Sequence, residues 1–248
     1  MPILIVFLLL ALTPQTGFAQ GGPPMVTDDP DTPGEGHFEF NIVGLTATSI
    51  DKKVYQFPYF DLNYGLGDRV QLKLESGWEL LQGTDTGTHR GISSALTGIK
   101  LRFLEQETSG ISVSIYPQYE FHHFLTSSDP LLSDDGNHFL LPIEFSRRFG
   151  AYSINPEVGR GIVSGNNYDF WFYGLLVAYE FAKRYEVMGE IHGSARLGVT
   201  DTQLFYNFGA RIELAKVLSL LLSAGHSTKE FPEDEPQLFG YFGVQLRL

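Results

Sequence analysis

Three observations predict an all-β fold: a transmembrane up-and-down antiparallel β-barrel of about twelve strands, with short periplasmic turns and longer external loops. Apolar and polar residues alternate with period two, again and again, from about residue 37 to the end of the chain. Several of these runs reach nine residues or more, longer than the five or six usual in globular sheets and enough to cross a bilayer at a tilt. The connections between runs alternate between short and long, as in a barrel with both termini on the periplasmic side.

The alternation is cleanest over residues 203–225, QLFYNFGARIELAKVLSLLLSAG. Leu204, Tyr206, Phe208, Ala210 and Ile212 form one face, and Gln203, Asn207, Gly209, Arg211 and Glu213 the other. Beyond a tight turn at Ala215 and Lys216, Leu218, Leu220, Leu222 and Ala224 continue the apolar face, with Ser219, Ser223 and Gly225 opposite. The apolar set is expected to meet lipid; Asn207, Arg211, Glu213 and Ser223 are expected to face the lumen.

Taken in order, residues 1–19 begin MPILIVFLLL and end in small residues after Pro14, which predicts a secretory signal peptide cleaved after Ala19. The segment lacks a Lys or Arg before its apolar core, and that core is short for the alternative of a membrane-anchoring helix. Residues 20–36, QGGPPMVTDDPDTPGEG, have no periodicity and predict an extended periplasmic arm. Strands follow at about 37–48, 54–65, 69–81, 91–105, 110–122, 138–149, 151–161, 169–181, 184–194, 202–214, 216–226 and 237–248. Short turns are expected at 66–68, 106–109, 150, 182–183 and 215, and long loops at 49–53, 82–90, 123–137, 162–168, 195–201 and 227–236.

Composition narrows the function classes. Among 248 residues there is no cysteine, so disulfides, thiolate metal sites and a lipid anchor on Cys are excluded. The formal charge of −12 and the lack of a basic stripe argue against nucleic acid as a partner. A mean hydropathy of −0.05 suits a barrel whose residues alternate between lipid and lumen.

Alternation alone would also fit a soluble, lipocalin-like barrel with its apolar face inward. Two features favour the membrane version. The polar face carries both signs of charge: Lys73, Glu75, Glu79, Lys100, Arg102, Glu120, His122, Glu144, Arg148, Glu157, Glu186, Glu190, His192, Arg211, Glu213 and Arg247 are the candidate lumen-lining residues. Aromatics gather near strand ends, including Tyr59, Phe60, Tyr64, Trp78, Phe103, Phe121, Phe149, Tyr152, Trp171, Phe181, Tyr185 and Phe239, as in interfacial girdles. Pro117, Pro142 and Pro156 fall inside strands and call for bulges or local breaks.

Across the mature chain the residues resemble an outer-membrane family labelled MetA-pathway of phenol degradation. The matching pieces are TDDPDTPGEGHFEF at 27–40, DLNYGLGDRVQL at 61–72, INPEVG around Asn155, FWFYGLLVAYEF at 170–181 followed by GEIHG, and NFGARIEL with LLSAGHS near the end. The arm motif, with Thr27, Asp28, Asp29, Pro30, Pro33 and Gly34, is the most specific. The resemblance implies an outer-membrane barrel with a transport role, linked by name to aromatic catabolism. The chain ends in Leu248, where barrels of this kind commonly end in an aromatic.

Chemistry is weighed against simpler roles. His192 with Ser194 above Glu190, and His226 with Ser227, have the residue types of a lipid-hydrolysing dyad or triad, but lack the sequence context of such enzymes. His122 and His138 flank one external loop without a third metal ligand, and Pro30 interrupts Asp28, Asp29 and Asp31, which better suit a turn that pins the arm. The acidic stretch 229–235 reads as a solvated external loop. The expectation is a passive channel or transporter, without cofactor, metal or catalytic residue, in the outer membrane of a Gram-negative-type cell. Its expected partners are outer-membrane lipid and lipopolysaccharide, the outer-membrane assembly machinery and a small, aromatic or other, solute. A non-conducting structural or adhesive barrel acting through its loops, and a lipid-modifying enzyme, are the alternatives. Whether water passes the layer of Glu190, Arg211 and Lys100, or the arm at Thr27–Gly34 blocks it, stays open at this point.

Overall fold

The computed structural model of the chain describes residues 22–121, 132, 136–165, 169–198, 202–228 and 237–248. The expected signal peptide, His122 and the acidic stretch at 229–235 lie outside the described residues.

One antiparallel sheet closes on itself. Its segments are β1 (Phe38–Thr48), β2 (Lys52–Gly65), β3 (Val70–Gly83), β4 (Gly87–Ile92), β5 (Ala95–Leu104), β6 (Ser112–Ile115) and β7 (Gln118–Phe121). They continue as β8 (His138–Phe149), β9 (Tyr152–Val163), β10 (Phe170–Phe181), β11 (Tyr185–Arg196), β12 (Thr202–Ala215), β13 (Leu218–Ser227) and β14 (Leu238–Arg247). β4 with β5, and β6 with β7, are interrupted halves of single strands, so these fourteen segments make twelve staves. β1 pairs with β14, and Phe38 and Leu248 exchange backbone hydrogen bonds of 2.8 Å that extend this seam to the last residue.

The faces settle which side meets lipid. Phe208 is 65% exposed, Phe242 61%, Leu74 54% and Ile191 53%, whereas Lys100 and Glu144 are at most 1% exposed. A water-soluble protein does not present so continuous an apolar exterior. Trp78, Phe149, Tyr152, Trp171, Phe181 and Tyr185 are exposed on the outer surface, with Tyr152 against Tyr179 and Phe181 against Tyr185 at ring separations of 4.6 and 5.5 Å.

Tyr59 and Phe239, expected in the girdles, point inward instead. A register shift between Gln56 and Tyr59 adds a residue to β2 and exchanges its faces, so Gln56 and Tyr59 both reach inward, to Glu79 and Glu75. Phe239 has the same parity as buried Gln245 and touches Phe205.

Two external connections expected to be long are short: only 49–51 and 84–86 separate the strands there, because β2, β3 and β4 continue through polar residues. The prolines sit at defects. Pro117 lies in the gap between β6 and β7. The carbonyl of Pro142 accepts from the Tyr116 amide at this gap, and since a strand residue's N–H and C=O point the same way, its missing donor faces the same break. Pro156 lies where the β8–β9 ladder skips from Glu144↔Glu157 to Arg147↔Ile154.

Candidate functional site

The periplasmic half of the lumen is built around the arm, which runs inside the barrel, the course that the sequence left open. The cause is charge and hydrogen-bond matching. The backbone N–H groups of Val26 and Thr27 donate to the Glu190 carboxylate at 3.0 and 2.8 Å, and that of Asp28 donates to Glu157 at 3.1 Å. Lys100 donates to the Asp29 carbonyl and pairs with Asp28 and Glu144, each at 3.2 Å, while its ammonium sits 4.7 Å from the centre of the buried Tyr116 ring. Asp31 meets Arg102 at 3.0 Å and Arg148 at 4.0 Å. Arg211 and Ser223 donate to the carbonyls of Pro23 and Pro24 at 2.7 and 2.8 Å.

Local structure makes this course possible. The Asp31 amide donates to the Asp29 carboxylate at 2.7 Å, a side-chain turn around Pro30 of the kind aspartate favours. Met25 packs with Leu176, Ala178 and Met188 on the inward faces of β10 and β11. The wall is notched where the arm passes: a Cβ on Gly174 would come 2.2 Å from Thr27 Oγ1, and one on Gly65 would come 1.7 Å from the Gly34 carbonyl oxygen. Thr27 is fully buried, and Thr32 donates to the Asp68 carbonyl at 2.8 Å as the arm leaves the lumen.

Opposite the arm, β1–β3 carry a polar network. Asn41 and Asn63 donate to Asp61 at 2.9 and 2.8 Å, and Gln71 donates to Asn63 at 2.7 Å. Lys73 pairs with Glu75, to which the Tyr59 hydroxyl donates at 2.8 Å. A cavity of about 300 Å³ remains between this wall and the arm, lined among others by Asp29, Asp61, Lys73, Lys100 and Arg247. At the rim, Arg69 donates to Glu105 at 3.0 Å; this hydrogen bond holds the Glu105 carboxyl below the ordinary glutamate range.

The remaining candidates divide by height. Glu186 binds Arg211 at 2.8 Å and Arg247 binds Glu39 at 3.2 Å near the periplasmic mouth, which Glu213 also lines. In the external half, Gln56 donates to Glu79 at 2.8 Å, and Glu120 lies 3.3 Å from His138 and accepts from Ser94 at 2.5 Å. The two Ser/His pairs are not assembled as dyads. Ser194 donates to Gln203 at 3.1 Å, while the His192 ring lies between Phe172 and Phe205. His226 is exposed and stacks with the outward-facing Tyr206, whereas Ser227 is buried on the other face.

Among solved structures, the chain is similar to an outer membrane channel from Pseudomonas putida F1, with a TM-score of 0.71 and 10% identity over 92% of this chain and 100% of that one. It is similar to the NanC porin at a TM-score of 0.64 and 7% identity, over 84% of this chain and 100% of the porin. The translocator domain of the autotransporter NalP from Neisseria meningitidis follows at 0.54 and 12%, over 85% and 87%. The chain has the fold of an outer-membrane β-barrel. No family model and no curated protein matches the sequence, so the phenol-degradation label rests on the sequence motifs alone.

For this outer-membrane barrel the sequence missed Met25, Asp61, Asn63, Gln71 and Tyr116 as lumen residues. Strand parity alone would have placed Asp61, Asn63 and Gln71, since they alternate with Leu62, Tyr64 and Leu72. The pairing of an acidic arm with the inward bases Lys100 and Arg102 was the available signal for the arm itself.

Proposed function

We propose that the protein is a passive channel for small molecules in the outer membrane of a Gram-negative-type cell, with its periplasmic half closed by its own N-terminal arm. The observation that carries this reading is the arm's bonding to inward side chains of β5, β9, β11, β12 and β13 beside a cavity of about 300 Å³. Rings of both charge signs along such a path would set selectivity. Small aromatic molecules are the solute class that the family resemblance implies. Lipid would meet the apolar exterior, lipopolysaccharide the external loops, and the assembly machinery the closing strand β14.

Single-channel recording in planar bilayers tests the reading. The full chain is expected to give small or rare openings, and a variant lacking residues 20–31 larger and longer ones. Silence from both, with the variant correctly inserted, would favour a non-conducting structural barrel that acts through its loops, a reading to which the filled lumen also lends support.

A further inference from the structure

The outward wall of β1–β4 changes character in three levels toward its external end. The lowest is apolar: Phe57, Trp78 and Ile92 are exposed there, with Trp78 opposite Ile92. One level up, Thr46, Tyr55, Leu80 and Arg90 stand in register across the four strands. At the rim, Thr48, Lys53, Gln82 and Thr88 do the same. Successive levels are two residues apart, about 7 Å along a strand. The wall thus passes from apolar through amphipathic to polar over about the depth in which a membrane passes from acyl chains to headgroups.

The two basic groups point to what covers this wall. Lys53 and Arg90 are exposed, and among the described residues neither has an acidic partner, although Asp51 and Asp85 occupy the adjoining turns. The outward-facing Arg160 on β9 differs: it binds Asp169 at 2.8 Å and lies 5.3 Å from the centre of the Trp171 ring. A cation on a lipid-facing wall is costly at mid-membrane and nearly free at headgroup depth, where its long stem lies on apolar surface and its charge meets an anion. Two strand spacings and one level separate Lys53 from Arg90, about 12 Å between Cα atoms, so both side chains can reach one headgroup. Between and beside them, Thr48, Gln82 and Thr88 offer hydroxyl and amide groups of the kind that pair with sugar hydroxyls.

We infer that the external end of this wall binds the headgroup of a phosphorylated glycolipid of the outer leaflet, the lipid A part of lipopolysaccharide. Lys53 and Arg90 take its phosphates, Thr48, Gln82 and Thr88 its sugar hydroxyls, and the exposed rings of Phe57 and Trp78 lie along its acyl chains. The site is on the barrel wall and not on the external loops. It rests on the outer-membrane placement and orientation of the proposed function, and not on conduction.

Native mass spectrometry of the full chain released from detergent tests it, by titration with diphosphorylated lipid A. The controls are lipid A stripped of its phosphates, phosphatidylglycerol and inorganic phosphate. Diphosphorylated lipid A is expected to bind saturably and more tightly than each control. Lys53→Gln and Arg90→Gln should each weaken it about fivefold, and the double variant about thirtyfold, as expected for two cations beside an anionic lipid surface. Arg160→Gln should leave binding unchanged. Heat-dependent gel migration verifies that each variant is folded. Equal binding of phosphate-free lipid A or phosphatidylglycerol, unaltered affinity in the double variant, or binding of inorganic phosphate as tight as that of lipid A would overturn the inference. Lipid A binding by a barrel that never conducts would sink the channel reading alone; conduction without lipid A binding would sink the site alone.

Discussion

In the periplasmic half of the lumen, Lys100, backed by Glu144, and Glu157, Glu190 and Arg211 meet the arm; in the external half, Phe172, His192, Phe205 and Phe239 meet one another. Buried ions carry a large desolvation cost that only well-placed partners offset, so the lower half is determinate: each carboxylate or ammonium fixes where the arm can run. Rings impose no such demand, and the upper half is left with an adaptable surface. The comparison teaches that the arm's ionic contacts and the row of rings occupy different heights of one lumen, and substitutions can separate them.

The largest effect is expected at Lys100, which is 1% exposed and balances Asp28 and Glu144 at once. Lys100→Met leaves two carboxylates without their cation. Removing one partner of a buried pair costs about 3–5 kcal/mol, and water entering from the adjacent cavity sets the loss toward the lower end. Urea unfolding in detergent measures it, and limited proteolysis should cut the arm in this variant while sparing the buried arm of the parent chain. Adding Glu144→Gln should recover part of the loss. Were the double variant as unstable as the single one, Lys100 would act by packing against Tyr116 and the ionic account of the lower half would fail.

A smaller effect, confined to the arm, is expected from Gly174→Val, because even its Cβ would come 2.2 Å from Thr27 Oγ1. Overpacking of this kind costs about 1–3 kcal/mol. Here the arm can yield without moving a strand. A cysteine introduced as Thr27→Cys should therefore be labelled about tenfold faster by a water-soluble maleimide in the Gly174→Val background. Equal labelling in both backgrounds would mean that the arm is not seated at Gly174.

The barrel was legible because the membrane imposes it locally. Period two, run length and rim aromatics are properties of neighbouring residues, and the twelve expected strands recur with ends within a few positions of the observed ones, β4 apart. What escaped is non-local. The bulge after Gln56 exchanges the faces of β2 through a single added residue, which no periodicity count registers. The arm finds its place through partners 71 positions away, as in Lys100 with Asp29. Lumen residues with formal charges were recognised by type, but which charge meets which depends on strand stagger: Arg211 pairs with Glu186 on the neighbouring strand, not with Glu213 on its own. The row of rings was hidden for a similar reason, since Phe172, Phe205 and Phe239 are unremarkable apolar residues until parity turns them inward together.

The smallest effect bears on the upper half. Ser194 and His192 share the inward face of β11 with Glu190, the order a triad would need. Yet Ser194 donates to Gln203, His192 lies between two phenylalanine rings, and Glu190 is committed to the amides of Val26 and Thr27. A base that cannot reach its nucleophile cannot activate it. Ser194→Ala should thus remove one partly exposed hydrogen bond, cost about 1 kcal/mol or less, and leave the cell's lipid profile and the arm's protease protection as in the parent chain. If lipid hydrolysis by the parent were detected and lost in this variant, the external half would be a reaction centre, and the division of the lumen into a charged lower half and a ring-lined upper half would have to be redrawn.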